Sequence, residues 1–169
     1  MKVLFLDHDG VICLQSEWGG RVDKEREGLD SVFDDFNESA VKVLNEIIDA
    51  TDCEIVVSSD WRHYATLEQL QELYRVRGIN KQPIGCTEDF SWSEATSEAS
   101  RIQEIEKWIF EHKEITAWCA VDDMDLANSI SIDTGEPIGL SCFVKTPNSK
   151  EGLKQSGKKE KIVQFLNIK

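Results

Sequence analysis

The chain of 169 residues contains no apolar run near the ~20 residues that a membrane-spanning helix requires. Its one N-terminal apolar run is broken by Asp7 and Asp9, so it does not read as a signal peptide, and the expected compartment is the cytosol. The five cysteines, at 13, 53, 86, 119 and 142, are odd in number and form no C-x-x-C pair. That spacing argues against both a zinc site and a disulfide framework, and leaves buried, reduced thiols. Histidine is scarce as well: there are three, and His63 and His112 have no ligand spacing. Positive charge is short, with a net charge of −13, which argues against broad electrostatic attraction to nucleic acid or anionic membrane. The shortage is uneven. From Lys145 to Lys169 seven Lys face two Glu, a local +5, which leaves −18 on the remainder. This basic end reads as a solvated helix face; a local contact with a phosphate backbone is the sharper alternative. There is no internal repeat, and the length suits one domain, residues 1–169, with a real core.

What is present is an alternation of strands and helices. Val3 to Leu6 is an apolar run that reads as a buried parallel strand. Residues 13–37 are polar and irregular, and read as a flap beside it. Ala40, Val41, Leu44, Ile47 and Ile48 recur at helical spacing, with Asp35 or Asn37 available as a cap. A second strand runs from Cys53 to Val57. Thr66 caps a helix carrying Leu67, Leu70, Leu73 and Tyr74, which Gly78 ends. A short strand around Ile84 and a Ser/Glu-rich loop over 86–99 come next. The following helix is expected to begin near Ser100, with Ile102, Ile105, Trp108 and Ile109 on its apolar face. Arg101 then falls in its first turn, against the helix dipole, where a cation needs an anionic partner. Ala117 to Val121 and Gly139 to Val144 supply two more strands, and a last helix is expected over roughly 150–166. Such alternation predicts a parallel sheet covered on both faces, a Rossmann-like three-layer α/β/α sandwich.

Three of these strands end in polar groups. The first stops at Asp7-His8-Asp9-Gly10, the second at Ser58-Ser59-Asp60-Trp61-Arg62, the third at Asp122-Asp123-Met124-Asp125. Taken alone, the first stretch fits an Asp-Gly turn capping an ordinary strand as well as it fits a site. In a parallel sheet, however, all three ends lie on one edge, where open α/β sheets bind their ligands. Two carboxylates as close as Asp7 and Asp9 repel unless a cation separates them or one is protonated. Carboxylates with a hydroxyl, and no His or Cys cluster, suit a hard cation with oxygen ligands, Mg²⁺ above all. Hydroxyls and Arg101 suit phosphate oxygens.

These motifs resemble the haloacid dehalogenase (HAD) superfamily of phosphotransferases. Phe5-Leu6-Asp7-His8-Asp9-Gly10-Val11 is similar to its first motif, Ser58 to its second and Asp122-Asp123 to its acidic fourth. The third motif is usually a Lys; Arg101 is the best-placed cation here, and Lys107 follows one or two turns on. A closer resemblance spans nearly the whole chain: Leu44-Asn45, Ile55 to Arg62, Arg101 with Glu104-Ile105 and Trp108, Val121-Asp122-Asp123, and Phe143 to Thr146 are similar to the small HAD domains of "Swiss army knife" RNA-repair proteins. The resemblance implies that Asp7 attacks phosphorus and that Asp9 first protonates the leaving oxygen and then activates water. It further implies that Mg²⁺ is held by Asp7, the backbone carbonyl of Asp9 and Asp123, with Asp122 orienting a water on it. Ser58 and Arg101 would hold the phosphoryl oxygens. The implied activity is that of a Mg²⁺-dependent phosphatase.

Other residues carry open readings. Arg62 fits a phosphate clamp or a local ion pair equally. Ser59 either helps bind substrate or, with Asp60, shapes the turn. Trp61 fits packing better than substrate stacking. His8 reads as structural, Asp125 as a turn residue or an outer partner of the acids, and Lys145 as a surface lysine. Only about 25 residues separate the first motif from the next helix, and about 38 lie between Arg62 and Arg101, one core helix included. Neither leaves room for a large cap domain of ~50 residues or more. An open site would admit a nucleic-acid end, a nucleotide or a phosphoprotein. Two rival readings use the same residues: a phosphate-binding module without turnover, and a signalling receiver domain. In the receiver the acidic pair ends the first strand, whereas here it comes late.

Overall fold

The computed structural model describes residues 1–14, 35–90, 97–131 and 134–168. The expected flap therefore lies mostly outside the described residues, as does the middle of the Ser/Glu loop. Five strands form one parallel sheet: β1 (Lys2–Leu6), β2 (Glu54–Val57), β3 (Pro83–Cys86), β4 (Ala117–Asp122) and β7 (Phe143–Lys145). Their order across the sheet is β3-β2-β1-β4-β7. Among the described residues, four α-helices accompany them: α1 (Glu38–Thr51), α2 (Leu67–Val76), α3 (Ser97–Glu111) and α4 (Lys158–Leu166). A two-stranded antiparallel hairpin, β5 (Ser129–Ile130) with β6 (Pro137–Ile138), lies between β4 and β7. This is the Rossmann-like α/β arrangement that the alternation predicts. Among the described residues, no helix is long and apolar enough to cross a membrane.

The period-2 alternation of β1 separates two apolar layers. Leu4 and Leu6 face a cluster with Leu44, Ile47, Leu70, Tyr74, Ile162 and Leu166, from α1, α2 and α4. Val3 and Phe5 face Ile102 and Ile105 of α3, with Leu126 and Leu140 from the segment around the hairpin. Both faces of the strand are fully buried. Local signals frame the helices. The Asn37 side chain accepts the Ala40 N–H at 3.1 Å, so Asn37 rather than Asp35 caps α1. Thr66 and Gln69 form a reciprocal capping box at the start of α2. Pro83 opens β3 at the edge of the sheet, where its missing N–H is tolerated.

Three boundaries differ from the sequence expectation. Helix α3 begins at Ser97, about a turn early, so Arg101 sits in its second turn rather than its first. The strand expected from Gly139 is only Phe143–Lys145, and the chain before it forms the unanticipated hairpin. The helix expected over 150–166 is two pieces, a 3-10 turn at Gly152–Lys154 and α4. Gln155, at φ −57° and ψ 135°, and Gly157, at φ +80°, break it. Apolar spacing carried across the break and concealed it.

That break serves a purpose. Gly152 has φ +51°, and a Cβ there would stand 2.2 Å from the Val11 carbonyl oxygen. Leu153 donates its N–H to the same oxygen at 2.8 Å. The C-terminal turn thereby braces the loop that follows β1. Gly152→Ala is expected to destabilise the protein by more than about 1 kcal/mol, read as a lowered urea midpoint with an unchanged slope.

Candidate active site

Strand register builds the site. Leu6 pairs with Val57 on one side and with Val121 on the other. The next residue of each strand therefore falls in one row at the carboxyl edge: Ser58, Asp7, Asp122. Backbone bonds extend the ladder through this row, with Ser58 N–H donating to Leu6 O at 2.9 Å and Asp7 N–H to Val121 O at 3.1 Å. The sheet order reverses between β1 and β4, since β2 and β3 lie to one side of β1 and the chain returns on the other. Asp7 and Asp122 flank that crevice, the place where open α/β sheets receive ligands.

Asp7, Asp122 and Asp123 each offer a carboxylate oxygen, and these oxygens lie within 4.8 Å of one another. Asp7 and Asp122 are buried. Burial, followed by the charge of Asp122, pushes the Asp7 carboxyl well above its ordinary range, with Arg101 pulling the other way. Burial likewise lifts Asp122 to about 6 against the pull of Arg101. Burial and the neighbouring Asp9 raise Asp123. Gly10 makes the cluster possible. Its φ is +72°, and a Cβ would meet the Asp123 Oδ2 at 2.3 Å. Thr146 reaches back to donate its hydroxyl to the Gly10 carbonyl at 3.1 Å.

Arg101 is buried in the middle of these acids. Its Nη1 lies 3.1 Å from Asp122 Oδ2 and 3.5 Å from Asp7 Oδ1, and donates to the Ser58 carbonyl. Its Nη2 meets Asp60 Oδ1 at 2.9 Å, and Nε lies 3.7 Å from Glu104 Oε2. Burial opposes the charge, but Asp122, Asp7, Asp60 and Glu104 outweigh it and raise the Arg101 pKa. The alternative cation, Lys107, lies apart, paired with Glu88 at 3.2 Å and with Glu111.

The remaining expected residues divide. Ser58 is buried, and its hydroxyl meets no hydrogen-bond partner among the described residues. The Ser59 hydroxyl is near enough to favour the ionised form of Asp7, yet meets no partner at hydrogen-bond geometry among the described residues. Asp9 is not among the three clustered acids; its Oδ2 accepts the Trp61 indole N–H at 2.9 Å. Arg62 is turned to other work, donating to Thr87 Oγ1 at 2.8 Å and pairing with Glu104 at 2.9 Å. It thus ties the ends of β2 and β3 to α3. His8 is fully buried, and its Nε2 shares a 2.6 Å hydrogen bond with the Tyr74 hydroxyl. Burial and Arg101 lower its pKa to about 3, so it stays neutral. Lys145 pairs with Asp125 at 3.5 Å. Sequence reasoning named Glu104 only as part of the resemblance and gave no role to its carboxylate, which joins Arg62 and Arg101, and it treated Asp60 as a turn residue. Helical periodicity shows only that Glu104 stands three residues from Arg101; its buried partner Arg62 comes from another element.

The donor set fits a hard divalent cation. It is all oxygen, and three carboxylates are gathered about one guanidinium, two of them buried where ionisation without a cation is costly. The orphaned Ser58 hydroxyl beside them suits an anionic oxygen that is not part of the protein.

A parallel sheet in this order with acids at its switch point defines a HAD-type α/β domain. The model of the family described as the HAD domain in Swiss Army Knife RNA repair proteins matches residues 3–166, and the chain belongs to that family. No curated protein and no solved structure matches the chain. Membership points to phosphatase-type hydrolase chemistry, for which HAD proteins typically use Mg²⁺.

The raised Asp122 pKa has a definite sign. A carboxyl that binds its proton more tightly folded than unfolded contributes stability below about pH 4, and that contribution is lost as pH rises through about 6. In EDTA, Asp122→Asn should therefore melt above wild type at pH 8, by on the order of 5 °C, with the gap closing toward pH 4. Mg²⁺ should raise the wild-type melting temperature at pH 8 and raise that of the variant by less, since Asp7, Asp9 and Asp123 remain.

Proposed function

We propose that the protein is a Mg²⁺-dependent phosphomonoester hydrolase that works through an aspartyl-phosphate at Asp7. The observation that carries this reading is the row Ser58–Asp7–Asp122 with Arg101 against its acids. It brings a nucleophile, an orphaned hydroxyl and a buried cation to one sheet edge. Asp7 attacks phosphorus as the bond to the ester oxygen breaks, and Asp9 gives that oxygen its proton. Asp9 then takes a proton from the water that attacks the same phosphorus, releasing phosphate and restoring the Asp7 carboxylate. Ser58 and Arg101 hold the non-bridging oxygens while their charge redistributes. Mg²⁺, held by Asp7, the Asp9 carbonyl and Asp123 with Asp122 beside them, would neutralise charge on the phosphoryl group and lower the repulsion that Asp7 must overcome.

The proposed substrate is a terminal phosphate on a nucleic-acid end or a nucleotide, with a phosphoprotein as the alternative. The family description supports the first choice. A net charge of −13 argues against tracking along a nucleic-acid backbone and does not by itself encourage the nucleic-acid choice.

Purified protein should release phosphate from an aryl phosphate with Mg²⁺ and not with EDTA. Asp7→Asn should lower kcat by at least about 10³-fold. Comparable turnover by Asp7→Asn would remove Asp7 as the nucleophile, and Mg²⁺-dependent binding of phosphate esters with no hydrolysis would make the protein a binding module. Rates on phosphorylated oligonucleotide ends, nucleotides and phosphopeptides under the same conditions rank the substrate classes.

A further inference from the structure

We propose that Trp61 is a positioning residue for the proton transfers of Asp9, holding one carboxylate oxygen through its indole N–H. The inference rests on the phosphatase reading above and adds a residue that reading does not use. Trp61 is 4% exposed, and its Nε1 donates to Asp9 Oδ2 at 2.9 Å. The indole is itself immobilised. Its ring stacks on Phe36, with centroids 5.3 Å apart and planes 18° from parallel. His8 meets it edge-on, at 4.5 Å and 65°. His8 in turn is fixed by its hydrogen bond to Tyr74, whose ring stands 5.6 Å and 86° from Phe36. The box draws on four elements: the loop after β1, the residue before the α1 cap, the 3-10 turn after β2, and α2. All four side chains are buried.

The backbone of Asp9 is also held. The Gly10 N–H donates to the Cys13 carbonyl at 2.8 Å, and the N–H groups of Val11, Ile12 and Cys13 converge on the His8 carbonyl at 2.8–3.1 Å. With the main chain fixed by this turn and one oxygen held by Trp61, the carboxyl plane has little freedom left. A general acid works only when its proton is aimed at the leaving oxygen, so a fixed plane matters in the transition state. The bond becomes charge-assisted as Asp9 gives up its proton, so the anchor strengthens along the forward step and holds the carboxylate for the return. In the forward step the carboxyl O–H bond breaks and the proton goes to the departing alkoxide oxygen. In the second step a proton returns to Asp9 from the attacking water. Trp61 neither gains nor loses a proton in either step.

The test separates aiming from packing by the need of the leaving group for a proton. Alkoxides need protonation to depart, and p-nitrophenolate does not. The value of kcat/KM reports phosphoryl transfer to Asp7 whichever later step limits turnover. Trp61→Phe keeps the aromatic stack and deletes the N–H. It should lower kcat/KM for an alkyl phosphate such as glycerol phosphate by about 10–100-fold, and for p-nitrophenyl phosphate by less than about 3-fold. Asp9→Ala should show the same split at greater depth, and Trp61→Phe should add nothing further in the Asp9→Ala background. Equal losses on both esters, or a further loss in that background, would assign Trp61 to packing and overturn the proposal. Should Trp61→Phe fail to fold by circular dichroism, replacing Trp61 with benzothienylalanine preserves the indole shape without the donor, and the same two outcomes decide. If wild type hydrolyses neither ester, or Asp7→Asn retains full activity, the phosphatase reading itself fails, a result distinct from either outcome for Trp61.

Discussion

Buried negative charge at the crevice between β1 and β4 is the constraint around which this molecule is arranged. Two carboxylates, Asp7 and Asp122, stand side by side with almost no access to water. Left alone, such a pair would hold protons rather than charge. Arg101 answers part of that demand from α3, on one face of the sheet, and its guanidinium touches both acids and the backbone of the neighbouring strand end. The charge that Arg101 leaves over is what the proposed Mg²⁺ would neutralise. Fold and site are one problem in this respect, because the arginine that steadies the acids also pins α3 to the sheet edge.

Further polar contacts extend from that point. Glu104, one turn along α3 from Arg101, lies between Arg101 and Arg62, and Arg62 reaches Thr87 at the end of β3. The ends of β2, β3 and α3 are thus joined by paired charges, each buried partner compensating another. Glu104 is the member that both arginines share, so the two sides of the network are coupled through it. Glycines do comparable work where there is no room for a side chain. Gly10 lets the loop after β1 pass against Asp123, and Gly152 lets the C-terminal turn close on that same loop.

The other face of the loop is aromatic. His8 points away from the acids into a box with Phe36, Trp61 and Tyr74. Its burial keeps it neutral, so it adds no positive charge to a site that already holds Arg101. The loop after β1 therefore divides by the alternation of its own side chains: Asp7 toward the acid cluster, His8 toward the box. Asp9 joins the two, since its carboxylate is bonded to the indole at the edge of the box and its charge acts on Asp123.

Apolar periodicity was enough to read the alternation of strands and helices, the two-faced burial of the sheet, and the polar strand ends, because each of these is written in neighbouring residues. Asp7, Ser58 and Asp122 were legible for the same reason: each directly follows an apolar strand, and parallel strands share an edge. Other features were not local. The break before α4 lies in two backbone angles that the apolar spacing bridges. Helix α3 starts a turn early, out of a polar segment that carries no clear signal. Arg62 and Arg101 look alike as isolated cations, and only packing sends one to Glu104 and Thr87 and the other among the acids. Trp61 reads as a core residue from its neighbours alone. Its bond to Asp9 spans 52 residues of sequence and exists only because β2 lies beside β1. Residue type and spacing determine which groups reach the sheet edge; which group meets which is decided by register, burial and the pairing of charges, and those are properties of the folded whole.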